Sequence, residues 1–494
     1  MAPLRTQLAA GYEISQIITG LWQVADIEKE GKQLDQDQAA KTLVDYATEG
    51  FDTFDMADHY GSAELIAGCA RKILQTNPCG QSSPIQAKFH TKWCPKPGLM
   101  TSQIVYDGIR ESADRLGVET IDLLQFHWWS FEHPGYLEAM EGLALAQQEG
   151  RIAHLGLTNF DTDHLHLLIK EGFNILTNQV VVSLLDRRAL EEMGSFCLEH
   201  NVKLLAYGVV AGGFLSERWL GKPEPSVAEI TDWSKMKYKG FIKETGGWAT
   251  FQNILEVLDT IARRSNVSIT NVATRWVLDQ PAVAGAIIGA RLNATDHRRD
   301  NLAVFSFSLS EEDRVLIDEA LSKTRRIAGD CGREYRRPPF LTASGDLSHH
   351  LASIPKLYNA TSIFERPKRM RINSESYWES ACGYSRAVRV GNRILVSGTT
   401  ATHGLDRVIC AGDPRGQAVY ILDKIIAGIT ALGGSLADVV RTRVYLKNTA
   451  HCEEVSRVHG RYFEGLCPAN TTLEVSGLIG NHLVEIEAEA VIDH

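Results

Sequence analysis

Residues 50–64 of the chain read GFDTFDMADHYGSAE, and this stretch decides how the rest of the sequence is interpreted. Phe51 and Phe54 have the apolar character of a short buried strand. Titratable side chains follow at once, at Asp55, Asp58, His59 and Tyr60. In a parallel sheet covered by helices, chemistry is concentrated where the strands end. The stretch therefore predicts a strand that ends at a functional edge of its sheet.

The same rhythm, an apolar run followed by a helix-like stretch, repeats through the first three-fifths of the chain. Eight such runs occur: IITGLWQVA (17–25), FDTFDMAD (51–58), PIQAKFHTKW (84–93), IDLLQFHWW (121–129), IAHLGLTNF (152–160), ILTNQVVVS (175–183), VKLLAYGVV (202–210) and GAIIGAR (285–291). The intervening segment 34–50 begins with Asp35 and Gln38 at capping-box spacing. Eight units predict an α/β protein with a (β/α)8 TIM barrel over residues 1–325. A doubly wound sheet is the alternative, but the first run lacks its G-x-G-x-x-G loop.

The rest of the chain has a different sequence pattern. Residues 326–372 are basic, contain proline and lack clear periodicity, so we interpret them as a linker that includes a docking helix. Residues 373–494 combine strand-like alternation, as in RAVRVGNRILVSGTTA, with two amphipathic stretches. This pattern predicts a small α+β domain of a sheet and two helices.

Composition excludes several classes of function. The formal net charge of −10 argues against nucleic acid as the main partner. The nine cysteines form no C-x-x-C pair and the sixteen histidines no H-E-x-x-H pattern, so we expect neither a disulfide framework nor a metal centre. No apolar run has the length of a membrane span or a signal peptide. We therefore expect a cytoplasmic protein with no membrane partner.

Polar side chains at the ends of successive runs suggest reductive chemistry. Asp55, Tyr60, Lys92 and His127 follow or end three of the runs, and in a barrel these ends meet at one mouth. A lysine ammonium beside a tyrosine favours the phenolate, and a carboxylate keeps the lysine charged and in position. A neutral histidine orients a carbonyl oxygen. Together these groups make a proton donor for a carbonyl that accepts hydride from a cofactor.

These motifs resemble the aldo-keto reductase family. FDMADHYG, TKW, QFHW, GLTNF, NQ, AYG and IIGARLNATDHRRDN occur in family order, over roughly residues 10–325. The resemblance implies Tyr60 as general acid, Lys92 as the lysine that favours the phenolate, Asp55 as the carboxylate and His127 as the orienting group. Lys88 points to the same strand face as Lys92, but the family's T-K pattern favours Lys92. For Asp58 and His59, we prefer the interpretation as solvent-facing loop residues.

The same resemblance implies a nicotinamide cofactor, and we expect NADP(H). Thr158, Asn159 and Gln179 suit the nicotinamide carboxamide, and Tyr207 offers a flat face to its ring. Arg291, which follows Gly289, is suited to a 2′-phosphate, and Asp300 and Asn301 are expected near the adenosine. Compared with common family members, the chain has about two extra residues between Arg291 and Asp300, which leaves the role of His297 open.

Aromatic residues and a long loop surround these motifs. We expect Trp22 and Trp128 to face a small-molecule carbonyl substrate, with ordinary packing as the alternative. Residues 216–250 are long for a barrel loop and are expected to form a lid over the cofactor.

The C-terminal part resembles the RidA (YjgF-type) family, through GYSRAVRVGNRILVSGTTA, ALGGSLADVVRTRVYL, CPANTTLEVSGL and LVEIEAEAVID. The resemblance implies a homotrimer with clefts between subunits, in which Tyr384, Asn470 and Glu485 take cleft positions. The resemblance places Asn470 where the family members that hydrolyse enamines and imines have an arginine, which binds the substrate carboxylate. A neutral amide cannot form that ion pair. We therefore expect trimerisation or small-molecule binding rather than deamination of 2-imino acids.

Three functions remain compatible with the sequence. The first is NADPH-dependent reduction of an aldehyde or ketone to an alcohol. The second is a sensor, in which the barrel holds NADPH as a redox gauge on a trimeric scaffold. In the third, an imine or enamine intermediate passes between the two domains.

Overall fold

The computed structural model describes residues 3–24, 34–76, 85–230, 232–292, 296–336, 354–363, 366–374 and 376–493. Its first part is a closed barrel of eight parallel strands, as the alternating pattern predicts. The strands are β3 (Ile17–Gly20), β4 (Thr53–Asp55), β5 (Lys88–Trp93), β6 (Ile121–His127), β7 (Ile152–Thr158), β8 (Thr177–Val181), β9 (Lys203–Tyr207) and β10 (Val283–Gly289). Each strand contains part of one of the eight apolar runs, so the TIM-barrel prediction is confirmed.

A short hairpin closes the amino-terminal end of the barrel. Strands β1 (Arg5–Ala9) and β2 (Tyr12–Ser15) pair antiparallel, and their apolar side chains pack with Ile18 and Leu123 inside the barrel. Because this end is filled with apolar side chains, the open mouth lies at the carboxyl ends of the strands.

Helices surround the barrel, and the first of them begins at the predicted capping box. They are α1 (Gln36–Thr48), α2 (Ala63–Gln75), α3 (Ser102–Leu116), α4 (Tyr136–Gln148), α5 (Thr162–Lys170), α6 (Glu192–Glu199), α7 (Trp233–Glu244), α8 (Trp248–Ser265), α9 (Ile269–Leu278), α10 (Arg298–Ala303) and α11 (Glu311–Ser322). Asp35 caps α1 by accepting a hydrogen bond from the backbone N–H of Gln38 at 3.0 Å. No helix in the described ranges is long and apolar enough to cross a membrane.

The second part is a seven-stranded sheet with helices on one face. Its strands are β11 (Thr361–Ile363), β12 (Arg366–Ile372), β13 (Ala387–Val390), β14 (Arg393–Thr400), β17 (Val439–Leu446), β18 (Ala469–Glu474) and β19 (Val484–Val491), beside a small ribbon of β15 (Thr402–His403) and β16 (Arg407–Val408). The helices are α12 (Tyr377–Cys382), α13 (Pro414–Ala431) and α14 (Cys452–Tyr462). The turn between β13 and β14 is the Gly391–Asn392 pair, with Gly391 at φ 61°.

The segment expected to be a linker has two structural roles. Residues 326–336 pack on the barrel, and Arg333 and Tyr335 are buried there. Residues 361–363 and 366–372 are strands β11 and β12 of the second sheet. Residues 337–353 lie outside the described residues, so the docking helix expected somewhere in this segment stays a prediction.

The two parts share a polar, buried interface between α13 and the barrel helix α5. The imidazole of His164 lies between two carboxylates, with Nδ1 2.7 Å from Asp161 and Nε2 2.8 Å from Asp423 of α13. A second pair joins His166 of α5 to Asp413 at 2.9 Å. The helix side of the second sheet therefore faces the barrel.

Candidate active site

The carboxyl ends of the barrel strands open into a cavity of about 190 Å³. The cavity wall includes these sequence-predicted residues: Trp22, Asp55, Tyr60, Lys92, His127, Thr158, Asn159, Gln179, Tyr207 and Gly289. Since they come from all eight barrel strands or the loops that follow them, only the closed barrel brings them together. The expectation that these side chains meet at one mouth matches the geometry.

A buried ion pair forms the base of the cavity. The ammonium of Lys92 lies 2.5 Å from a carboxylate oxygen of Asp55 and donates to the carbonyl oxygen of Met56 at 2.9 Å. The same ammonium lies 4.9 Å from the ring centroid of Tyr60. Lys88 instead lies near the Tyr12 ring, 5.4 Å away, at the opposite end of the strand. The geometry thus favours Lys92 over Lys88 as the lysine of the site.

Gln125 is a component of this network that the sequence interpretation missed. Its side-chain amide donates to Oδ1 of Asp55 at 2.9 Å, and Gln179 donates to the same oxygen at 2.7 Å. Gln179 also donates to Oε1 of Gln125 at 2.9 Å. A signal was present, because Gln125 and His127 are two residues apart on one strand and share a face.

His127 forms part of the cavity wall and is almost fully buried. Its ring packs against Trp129, with 4.8 Å between ring centroids, and its Nδ1 lies 3.7 Å from Sγ of Cys94. The histidine is therefore held on one side by an aromatic ring and on the other by a thiol.

The predicted nicotinamide contacts lie side by side along the cavity. Asn159 accepts a hydrogen bond from the hydroxyl of Tyr207 at 2.9 Å. The hydroxyl of Thr158 is buried and has no hydrogen-bond partner among the described residues. The side-chain amide of Gln23 lies against Gly289, in the space that a side chain at this position would fill. The buried, unpartnered hydroxyl of Thr158 fits a polar ligand group such as a carboxamide.

The residues expected near the adenosine lie away from this cavity. Arg291 is half exposed, and its guanidinium lies 3.7 Å from the carboxylate of Asp232. Asp300 accepts a hydrogen bond from Asn271 at 3.3 Å, and Asn301 is buried within α10. The structure therefore does not join Arg291, Asp300 and Asn301 to the catalytic mouth.

The two predicted substrate-facing tryptophans differ in position. Trp22 lines the mouth, with its ring edge-on to Tyr60 at 4.9 Å and its indole N–H donating to the Ser234 hydroxyl at 3.2 Å. Trp128 is fully buried, and its N–H donates to the carbonyl oxygens of Ser130 and His133. The prediction that Trp128 faces the substrate is corrected, because its ring points into the core.

Helix α7 covers the mouth, where the sequence predicts a lid. Its residues Trp233, Ser234, Lys237 and Tyr238 line the cavity. Tyr335, from the segment between the domains, completes the wall and was missed by the sequence interpretation. Its hydroxyl lies 3.0 Å from that of Tyr207 and accepts a hydrogen bond from Lys237. Burial and the nearby Tyr335 raise the pKa of Tyr207 well above its usual value.

In the second domain, two of the predicted cleft residues adjoin one buried arginine. Arg386 donates to the Tyr384 hydroxyl at 3.3 Å. Burial raises the pKa of Glu485, against the opposing effect of Arg386. Asn470 lies on the exposed strand β18, and its amide donates to Thr442 at 3.0 Å. The Asn470 side chain, which the resemblance places at the position of the family arginine, is thus bonded to a neutral hydroxyl.

Comparisons with known proteins cover both parts of the chain. Residues 16–322 match the family model described as Aldo/keto reductase family, and residues 375–492 match the one described as Endoribonuclease L-PSP. The first match spans more than half of the 494 residues.

Individual relatives are distant. The NADH-specific methylglyoxal reductase of Escherichia coli (strain K12) is 23% identical over 337 residues, which are 63% of this chain and 96% of that protein. An uncharacterised protein of Streptomyces coelicolor is 37% identical over 121 residues, 24% of this chain and 90% of its own length. The solved structure of a glycerol dehydrogenase from Gluconobacter oxydans has a TM-score of 0.52 at 21% identity and covers 65% of this chain and 96% of its own, which supports the fold alone. From these matches and the barrel geometry we conclude that the chain belongs to the aldo/keto reductase family and carries a second domain of the RidA/YjgF type.

Proposed function

We propose that this protein reduces a small aldehyde or ketone to an alcohol with NADPH, and that Tyr60 donates the proton. The observation that carries the proposal is the buried Asp55–Lys92 ion pair, whose ammonium lies 4.9 Å from the Tyr60 ring at the open mouth. Such a cation favours the developing phenolate when the hydroxyl gives up its proton.

Each polar group in the mouth has a separate task in this proposal. Asp55 fixes the lysine, and Gln125 and Gln179 fix Asp55. His127 lies on the cavity wall, where it orients the carbonyl oxygen of the substrate toward the Tyr60 hydroxyl. The nicotinamide, when bound, supplies the hydride that reaches the carbonyl carbon. Thr158 and Asn159 hold its carboxamide, and Tyr207 supports its ring.

The preference for NADPH over NADH rests on Arg291. Its guanidinium is half exposed, and its contact with the Asp232 carboxylate is long, at 3.7 Å. A 2′-phosphate can therefore take the place of that carboxylate. The E. coli relative is described as NADH-specific, which makes the comparison of the two cofactors a direct test of this part of the proposal.

The cavity also bears on the substrate class. A volume of about 190 Å³ beside Trp22 and Tyr335 suits a small carbonyl compound with an apolar portion. The E. coli relative is described as a methylglyoxal reductase, so we place small α-oxoaldehydes first in the panel to be tested.

The second domain is proposed to bind a small molecule or to assemble three chains. Its sheet face away from the barrel carries exposed apolar side chains at Leu395, Val440 and Leu473. These side chains suit an interface between copies. Asn470 argues against clamping a carboxylate, because its amide is neutral and is bonded to Thr442.

The decisive experiment is NADPH oxidation by the full-length protein across a panel of aldehydes and ketones, beside Tyr60→Phe. We expect kcat to fall by about 100-fold or more, since general acid catalysis contributes at least that factor. NADPH binding, followed by fluorescence, should persist in the variant. Equal turnover by both proteins would refute Tyr60 as proton donor. Tight NADPH binding without turnover of any carbonyl would instead favour the sensor.

A further inference from the structure

A second cluster of chemically active side chains lies beside the catalytic set. Asp58, His59 and Cys94 offer ligand atoms that all lie within 4.8 Å of one another. Asp58 and His59 follow strand β4, and Cys94 follows strand β5. No linear motif shows this arrangement, because it forms only when the two loops meet.

The two loops are joined by hydrogen bonds that organise the cluster. The backbone N–H of Asp58 donates to the carbonyl oxygen of Lys92 at 3.0 Å, and that of Cys94 donates to Oδ2 of Asp58 at 2.9 Å. The other oxygen of Asp58 lies 2.7 Å from Nδ1 of His59. These contacts hold the Asp58 carboxylate against the His59 imidazole and the Cys94 backbone, and the three ligand atoms stay within 4.8 Å of one another.

The ligand types indicate which ion the cluster suits. A thiolate with an imidazole and a carboxylate is a ligand set for zinc, whereas magnesium and calcium prefer oxygen ligands alone. With zinc–sulfur bonds of about 2.3 Å and zinc–nitrogen bonds of about 2.0 Å, two ligands of a tetrahedral site lie about 3.5 Å apart. Sγ of Cys94 and Nδ1 of His127 are 3.7 Å apart, so His127 also lies at the edge of the coordination space.

The position of the cluster links it to catalysis. His59 lines the cavity, and its ring packs edge-on against Tyr60 with 4.8 Å between centroids. His59 contacts Tyr60 and Cys94 contacts His127, so an ion bound by both ligands lies close to the two groups proposed to act on the substrate carbonyl. Three protein ligands leave one position of a tetrahedral site for a further ligand.

We propose that Asp58, His59 and Cys94 form a binding site for Zn²⁺ at the rim of the mouth, and that the bound ion inhibits reduction. Binding displaces the thiol proton of Cys94 to solvent, and no electron transfer is involved. The metal site stands on the cluster geometry alone, whereas its inhibitory effect rests on the proposed reductase function.

The test begins with zinc binding, which needs no turnover. Isothermal titration of metal-free, full-length protein should show one Zn²⁺ per chain, and Mg²⁺ should not compete. Cys94→Ser and His59→Asn should each weaken binding by about 10-fold or more. Cys69→Ser alters an exposed thiol elsewhere in the chain and should bind like the wild type. Co²⁺ in place of Zn²⁺ should show a thiolate charge-transfer band that disappears in Cys94→Ser.

The effect on turnover is measured separately. NADPH oxidation should fall as the site fills and should return on addition of a chelator. Failure of the wild type to bind Zn²⁺, or wild-type binding by both variants, overturns the site. Full turnover with zinc bound overturns the inhibition but leaves the site. Zinc binding that both variants lose, in a protein with no turnover, confirms the site and favours the sensor over the reductase.

Discussion

The hydroxyl of Tyr335 lies 3.0 Å from the hydroxyl of Tyr207, although 128 residues separate them in the chain. Tyr207 ends strand β9 of the barrel, and Tyr335 belongs to the segment that leads to the second domain. The ammonium of Lys237 lies 4.9 Å from the Tyr207 ring and 4.7 Å from the Tyr335 ring. The lid helix and the connecting segment therefore meet over the ring expected to support nicotinamide.

This contact predicts slow entry of the cofactor. Tyr335→Phe removes the acceptor for Lys237, a charge-assisted hydrogen bond worth about 1.5–3 kcal/mol. If this contact must break before the nicotinamide reaches Tyr207, NADPH association should become at least about 10-fold faster in the variant. Stopped-flow fluorescence measures that rate. Tyr377→Phe, at an exposed ring in the second domain, is the control. An unchanged association rate would show that cofactor entry does not require this contact to break.

We predict that Gln125 positions the carboxylate of Asp55 through its amide. Gln125→Met removes one donor from the buried carboxylate of Asp55, and a lost hydrogen bond of this kind costs about 1–3 kcal/mol. We expect kcat to fall about 10-fold while KM for the carbonyl changes little, because the substrate does not touch Gln125. Gln147→Met changes an exposed amide that bonds a backbone carbonyl on the barrel surface and should leave kcat unchanged. A rise in KM with constant kcat would assign Gln125 to binding instead.

Arg291 predicts a difference between the two cofactors. Arg291→Ala should raise KM for NADPH by about 10-fold, since a charge-assisted contact is lost, and should leave KM for NADH nearly unchanged. Initial rates with each cofactor give the ratio. Arg263→Ala, on the exposed face of α8, corrects for the loss of one positive charge. Equal effects on both cofactors would mean that Arg291 does not contact the 2′-phosphate.

His164 predicts that docking of the second domain weakens at high pH. Burial disfavours its charged form, but the carboxylates of Asp161 and Asp423 outweigh this and raise the pKa of His164 to about 9. Because the unfolded value is about 6.5, the stabilising charge is fully present below that pH and is lost as the pH rises through 9.

Thermal unfolding between pH 6 and pH 10 tests this prediction. The wild type should lose stability toward pH 10, and His164→Gln, which cannot be protonated, should start lower and lose less over the same range. His200→Gln changes a histidine outside the interface and should follow the wild-type curve. Parallel curves for the wild type and His164→Gln would contradict the role of the buried charge.

Much of the fold could be predicted because it depends on local patterns. The eight apolar runs alternate with helical stretches, and this alternation is a consequence of burying a parallel sheet under helices. The turn at Gly391 and the cap at Asp35 are likewise local, since each needs only neighbouring residues. These features follow from periodicity and from the conformations that particular residues allow.

The parts that were missed depend on contacts between distant segments. Tyr335 lies in a segment without periodicity, and only the folded chain brings it to Tyr207. Trp128 is adjacent to His127, but its indole N–H turns to backbone carbonyls beneath the surface. The sequence alone favours Asp58 and His59 as solvent-facing loop residues, because their cluster with Cys94 forms only when two loops meet.

The burial of helix α13 limits how the two domains can be separated. Almost all of its side chains are buried, because one side rests on its own sheet and the other on α5. Separating the two domains would expose the apolar face of α13 to water. It would also leave the charged His164 without the carboxylate of Asp423, one of its two acidic partners. Each half could therefore fold as a separate protein only if the residues of this interface were replaced by residues suited to contact with water.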